Sequence, residues 1–251
     1  MGISIAVAGK GGTGKTTTSA LIIRKLIDRK KGSVLALDAD PNSNLDEVLG
    51  IEAERTIGSL REDFKKEAPR LESGIYKDKM VEMNVHQALV ESRGFDLLAM
   101  GRGEGQGCYC YANNLFKNSI DILQKNYDYI VMDNEAGMEH LSRRTTSDVD
   151  FLLIISDPSP RGIKTAARIK ELSKEVKVNA AKICLVVGRV EGKLDSRLSE
   201  YIAKNGLDLL GIINSDPGIY EMEISGRNIF DLPVESPALE QAGGLMDSLG
   251  I

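Results

Sequence analysis

The segment Gly9-Lys10-Gly11-Gly12-Thr13-Gly14-Lys15-Thr16 constrains this chain more than any other. It matches G-x-x-x-x-G-K-[ST] in full. It follows the apolar run Ile3–Ala8 and opens the helix-length stretch Gly14–Lys30, the strand–loop–helix context that the motif requires. Glycines free the backbone so that successive N–H groups can converge on phosphate oxygens. The helix that follows adds its positive N-terminal end. Lys15 is expected to reach the β- and γ-phosphates of a nucleotide and Thr16 to ligate Mg²⁺. Gly9, Lys10, Gly11, Gly12, Thr13, Gly14 and Thr17 complete the expected cradle. Lys10 is a second lysine within the loop, more charge than one nucleotide needs from its own subunit. A solvated loop lysine is the plainer alternative.

Short apolar runs alternate with helix-length stretches along the rest of the chain. Expected strands are Ile3–Ala8, Ser33–Leu37, Phe95–Met100, Tyr129–Met132, Phe151–Ser156, Ile183–Val187 and Leu209–Ile213. Expected helices include Gly14–Lys30, Thr56–Glu67, Leu115–Gln124, Arg161–Lys174, Leu194–Lys204 and Pro237–Leu249. This α/β alternation predicts one doubly wound P-loop NTPase domain over residues 1–251. Its sheet is mostly parallel, with helices on both faces. Ligands of such folds bind at the carboxyl ends of the strands.

Composition narrows the partners. Lys and Arg number 32 against 37 Asp and Glu, a net charge of −5, which argues against nucleic acid as the main partner. Tryptophan is absent and aromatic residues are 5%, too few for base-stacking platforms. The longest strictly apolar runs, Phe151–Ile155 and Ile183–Val187, are five residues each, far short of a membrane span. The N-terminus reads as a first strand rather than a signal peptide. Three cysteines, Cys108, Cys110 and Cys184, are too few for a disulfide framework and imply a reducing cytoplasm. Cys184 sits in an apolar run and reads as an inert core residue. Arg29-Lys30-Lys31 reads as favourable charge at a helix C-terminus.

Two acidic segments end expected strands. One is Leu37-Asp38-Ala39-Asp40-Pro41-Asn42-Ser43-Asn44-Leu45; the other is Asp133-Asn134-Glu135-Ala136-Gly137. Aspartates at such ends can orient water or hold the outer waters of Mg²⁺. Either alone is also a good helix N-cap. A third segment, Gly101-Arg102-Gly103-Glu104-Gly105-Gln106-Gly107-Cys108-Tyr109-Cys110-Tyr111, follows the strand Phe95–Met100. In an extended backbone, residues i and i+2 point the same way, so Cys108 and Cys110 can present two thiolates to one metal. Two sulfurs are half of a four-sulfur site, and a twofold dimer supplies the other half. Two reduced thiols in a loop is the plainer alternative.

Together these segments resemble the CooC/AcsF-type ATPases, which mature carbon monoxide dehydrogenase and acetyl-CoA synthase by supplying nickel. The wider superfamily is that of the nitrogenase iron protein and the septum-site and partition ATPases. The resemblance rests on Gly-Lys-Gly-Gly-x-Gly-Lys-Thr, Asp38-x-Asp40-Pro41, Cys108-Tyr109-Cys110 and Asp133-x-x-Ala136-Gly137-Met138-Glu139-His140-Leu141. It extends to Gly162-Ile163-Lys164-Thr165 and Leu210-Gly211-Ile212-Ile213. It implies a cytoplasmic homodimer that hydrolyses MgATP, with Lys10 reaching the partner's nucleotide. Asp40 is implied to position the attacking water, with Asp38 flanking it. Asp133 is implied to approach Mg²⁺ through water, and Gly137 to sense the γ-phosphate. Cys108 and Cys110 are implied to hold Ni²⁺ or Zn²⁺ for an apo-enzyme client, carbon monoxide dehydrogenase or acetyl-CoA synthase. Asn44 stands where the iron protein has an acidic residue and is given no catalytic role. A direct metal role for His140 is weighed against a plain helix-surface role.

One departure concerns the base. Many superfamily members carry an adenine-reading Asn where this chain has Gly188, so base recognition is expected from backbone groups near Asn214, Ser215, Asp216 and Pro217. Two other functions compete. A septum-site or partition ATPase is disfavoured because residues 228–251 contain no Lys or Arg and four acids, unlike a basic membrane-binding helix. An ATP-gated iron–sulfur reductase is disfavoured because the iron protein draws its cysteines from separated segments, whereas here they are adjacent.

Overall fold

The computed structural model describes residues 2–60, 86–102, 110–136 and 148–251, with the backbone alone for 110–115. Its centre is one eight-stranded sheet. The strands are β1 (Ile3–Gly9), β2 (Val34–Asp38), β3 (Leu89–Ser92), β4 (Phe95–Ala99), β5 (Tyr129–Asp133), β6 (Asp148–Ser156), β7 (Asn179–Val190) and β8 (Leu209–Asn214). They lie in the order β3-β4-β2-β5-β1-β6-β7-β8. Every pairing is parallel except β3 with β4. The helices include α1 (Lys15–Asp28), α2 (Leu45–Leu49), α3 (Cys110–Leu123), α4 (Pro160–Glu175), α5 (Ser196–Lys204), α6 (Pro217–Ile224) and α7 (Pro237–Leu249).

Strand periodicity assigns the two faces. On β1, Ile5 and Val7 point to one side, where they meet Leu21, Ile22, Ile23 and Leu26 of α1 and Leu239, Leu245 and Met246 of α7. Ala6 and Ala8 point to the other and meet Ile163, Ala166 and Ile169 of α4. Farther along that second face, Leu35, Leu37, Ile130 and Met132 pack against Phe116, Ile120 and Leu123 of α3. The central strands are apolar on both faces because helices cover both. This is the expected doubly wound architecture.

The departures are local. The β3–β4 hairpin turns at Arg93-Gly94, where Gly94 has φ 95°. Leu89-Val90-Glu91-Ser92 was not an expected strand because a short, half-exposed edge strand carries no continuous apolar run. Helix begins at 57–60 within the expected Thr56–Glu67, and 61–85 lie outside the described residues. The expected Leu115–Gln124 helix starts earlier, at Cys110. Cys184 is buried beside α1 and α7, and burial pushes its thiol up.

Arg29 does more than favour a helix end. Its guanidinium makes a two-point contact with Asp247, at 2.8 and 3.2 Å, and donates to the carbonyls of Gly243 and Ile251. It thereby clamps the last turns of α7 onto α1. Burial of Leu239, Leu245 and Met246, about 1.5–3 kcal/mol each, holds the helix in place. Arg29 sets its end. Arg29→Ala is therefore expected to destabilise the chain only modestly, without detaching α7, because water screens the pair with Asp247. Thermal melts are expected to show a midpoint lowered by about 2–4 °C.

Candidate functional site

β1 lies between β5 and β6, and its carboxyl end delivers the chain into Gly9–Lys15. Val7 pairs with Asp133, and Asp133 pairs with Asp38, so the exits of β1, β5 and β2 lie side by side. The acidic segments therefore flank the phosphate-binding loop. Gly9 approaches the Ile155 carbonyl so closely that a Cβ would lie 2.5 Å from it. Gly14 is the N-cap of α1 at φ 90°, with no side-chain cap. A left-handed residue at that point costs glycine little, and an uncapped first turn leaves its N–H groups turned toward a phosphate.

Lys15 is buried, and that burial lowers its pKa against the pull of Asp133, Asp40 and Glu135. Thr16 donates to Asp133 at 2.6 Å, and Ser19 donates to the other oxygen at 3.2 Å. Burial raises the Asp133 carboxyl to about 6, opposed by the Thr16 bond and the Lys15 charge. A hydroxyl backed by a carboxylate, with a lysine alongside, is a hard-oxygen setting suited to Mg²⁺ and phosphate. Lys10 is exposed, and Thr13 holds its carbonyl at 2.8 Å. Thr17 borders the neighbouring cavity.

Asp38, expected to flank Asp40, turns its carboxylate to its own loop. It is fully buried, and its oxygens accept the N–H groups of Asp40, Asn44 and Leu45 at 2.9–3.0 Å. Burial raises it to about 7. Asp38 folds the segment back on itself and caps α2 from a distance. Asp40 remains half-buried at the loop, near enough to influence Lys15 and Asp133.

A cavity of about 390 Å³ adjoins the loop, lined by Thr13, Gly14, Thr17, Gly188, Arg189, Asn214, Ser215 and Asp216 among others. A Cβ on Gly188 would lie 3.3 Å from the Thr13 carbonyl, so this strand end packs against the loop itself. The Asn214 N–H donates to Gln241, and its side chain is held by Gln241 and Gly192. The Ser215 N–H donates to Val190. Asp216 accepts from Ser236, Gly218 and Ala238, so its carboxylate ties α6 to α7. Pro217 opens α6. Gln241 and Arg189 are the residues that sequence reasoning missed here. Gln241 gave no motif signal; Arg189 stood next to Gly188.

Cys108, Gly137 and His140 lie outside the described residues, as does the side chain of Cys110. Cys110 is the first residue of α3, so its backbone is helical, and the extended Cys-x-Cys geometry does not hold at that residue. The apolar spacing of Phe116, Ile120 and Leu123 against the sheet places that helix.

This geometry defines a P-loop nucleotide-binding ATPase. The chain belongs to the CobQ/CobB/MinD/ParA nucleotide-binding domain family, whose model matches residues 4–229. An uncharacterized ATP-binding protein of Methanocaldococcus jannaschii is 43% identical over 91% of each chain. The carbon monoxide dehydrogenase accessory protein CooC of Rhodospirillum rubrum is 32% identical, over 98% of this chain and 96% of that one. The solved cell division ATPase MinD of Pyrococcus furiosus shares the fold, with a TM-score of 0.71 at 22% identity over 100% of this chain and 99% of that one.

Asp133 gives the site a measurable pH signature. Its folded-state value of about 6 exceeds the ordinary 3.8, so the folded protein holds a proton that the unfolded chain releases. The associated stability is complete below about pH 4 and is lost as pH rises through about 6. Asp133→Asn keeps a neutral group there, and the Thr16 and Ser19 hydroxyls can re-aim. Without nucleotide, the variant is expected to exceed wild type in stability above pH 6 by on the order of 2 kcal/mol. The gap is expected to close near pH 4. Urea denaturation at pH 4.5 and 7.5 reads the difference, and a wild-type advantage at pH 7.5 would contradict it.

Proposed function

We propose that this chain, one domain over residues 1–251, is a dimeric MgATP-hydrolysing metallochaperone of the reducing cytoplasm. Its cargo is nickel, and its client is carbon monoxide dehydrogenase or acetyl-CoA synthase. The observation that carries this reading is similarity to CooC along nearly the whole chain, in a sequence that also places Cys108 and Cys110 two residues apart.

Main-chain N–H groups of the loop and Lys15 hold the phosphates. Thr16 would hold Mg²⁺, with Asp133 behind it. The ion, when bound, would neutralise charge on the β- and γ-oxygens. Asp40 orients a water for attack on the γ-phosphorus as the bond to ADP breaks. Lys10, exposed at the loop, adds charge to the partner's transferring phosphoryl group. Gly137 senses the γ-phosphate. At the cavity the N–H groups of Asn214 and Ser215 are already engaged within the protein. ATP as the nucleotide is supported by the ATP-binding relative at 43% identity.

The positioning-ATPase reading has less support. Ala238, Leu239, Ala242, Leu245 and Met246 of α7 are buried, so that helix has its apolar face in the core. Among the described residues no helix is long and apolar enough to cross a membrane. Neither a membrane nor nucleic acid is proposed as a partner.

Asp40→Asn is expected to retain MgATP binding and lose most turnover, the signature of a transition-state interaction. In that background, sedimentation is expected to show an ATP-dependent dimer that Lys10→Ala weakens. A chain that stays monomeric with ATP, ADP and metal would contradict the geometry.

Each chain offers two thiolates, so Ni²⁺ or Zn²⁺ is expected to saturate at one ion per two chains. Replacing Cys108 and Cys110 together is expected to abolish the Ni²⁺–thiolate absorption band. Binding is expected to weaken toward low pH as the sulfurs reprotonate. One tightly bound ion per monomeric chain would overturn the shared site and bring His140 forward as a ligand.

A further inference from the structure

We infer that Asn42 and Arg102 are positioning residues for hydrolysis, acting in series on the Asp40 carboxylate; this rests on Asp40 as the water-orienting group. The Asn42 backbone N–H and its Nδ2 both donate to Oδ1 of Asp40, at 2.8 and 2.9 Å. Oδ2 carries neither of these bonds. The backbone of Asp40 is fixed as well, its N–H on Asp38 and its carbonyl accepting from Ser43. The second link is the Arg102 guanidinium, which donates to Oδ1 of Asn42.

Donor chemistry sets the order of the chain. Guanidinium has donors and no acceptor, so the Asn42 oxygen must face Arg102. The NH₂ end must then face the carboxylate. Without Arg102, the Asn42 amide can turn, and Asp40 loses one of its two donors whenever it does. Turning that amide over sets its oxygen against a carboxylate oxygen, and the carboxylate swings away. A displaced water-orienting group weakens turnover far more than nucleotide binding, since about 1 Å of misplacement can cost about 10²-fold.

Asn42 and Arg102 are both exposed. Contacts of that kind add little to stability, and substitutions there leave the melting midpoint nearly unchanged. Their replacement is therefore expected to leave the fold intact, so the effect is read in catalysis.

Steady-state ATP hydrolysis, calorimetric MgATP binding and thermal melts on the full chain test the relay. The proteins are wild type, Asp40→Asn, Asn42→Ala, Arg102→Ala, Arg102→Lys and the Asn42→Ala/Arg102→Ala double variant. Asn42→Ala is expected to lower kcat about tenfold or more, with the MgATP Kd within about threefold. Arg102→Ala is expected to lower kcat severalfold, and Arg102→Lys, which still donates, to recover part of the loss. The double variant is expected to match Asn42→Ala, because Arg102 acts through Asn42. An unchanged kcat in Arg102→Ala, losses that multiply in the double variant, or a Kd that rises in step with the lost kcat would each overturn the inference. If Asp40→Asn keeps its turnover, the assignment of Asp40 fails and the relay with it. If Asp40→Asn loses turnover and Asn42→Ala does not, the relay alone fails.

Discussion

Asp133 holds the nucleotide site together. Its carboxylate ends β5 in near-complete burial and grips Thr16 and Ser19, two residues of the first turns of α1. That grip fixes the helix whose uncapped start faces the phosphates. It also eases an electrostatic problem. Lys15 is buried, and burial disfavours its charge; Asp133 is buried, and burial disfavours its own. Each charge offsets part of the other's burial penalty, though burial remains the larger effect at both. Because β5 stops beside β1, a carboxylate stands next to the phosphate-binding lysine.

Asp38 performs the matching task for the segment that carries Asp40. Three N–H groups converge on it, and a tight turn results in which Ser43 takes φ 42°. The Ser43 hydroxyl is buried and makes no hydrogen bond among the described residues. An orphaned buried hydroxyl costs about 1–3 kcal/mol, and a left-handed non-glycine residue adds to that. The strain lies one residue from Asn42 and three from Asp40. The turn is held by Asp38 against its own local preferences, so its shape depends on where one buried carboxyl group sits.

Much of this arrangement was legible in the residues. The phosphate-binding loop announced its strand and helix, and alternating apolar runs placed seven of the eight strands, because buried parallel strands are apolar on both faces. The acidic segments could be assigned to strand exits for the same reason. What stayed hidden depends on contacts distant in sequence. Arg29 and Asp247 meet only because α7 returns onto α1. The Gln241 amide matches Asn214 only because α7 covers β8. The inward turn of Asp38 was not legible because an aspartate at a strand exit reads the same whether it faces solvent or its own loop. Cys110 looked extended because glycines crowd before it, whereas the helix was set by Phe116, Ile120 and Leu123 beyond it.

The sheet order also gives a physical meaning to where the cysteine segment starts. β2 and β4 are parallel neighbours, with Asp38 opposite Ala99. Two residues past that pair the chain reaches Asp40 from one strand and Gly101 from the other, so Arg102 emerges beside the turn that bears Asp40. The bond from Arg102 to Asn42 follows from this adjacency. In sequence the same strand exit leads to Cys108, and Cys110 begins α3, which packs beneath β2 and β5. The segment bearing the thiols is thus tied at one end to the turn that carries Asp40 and at the other to the helix under the same strands.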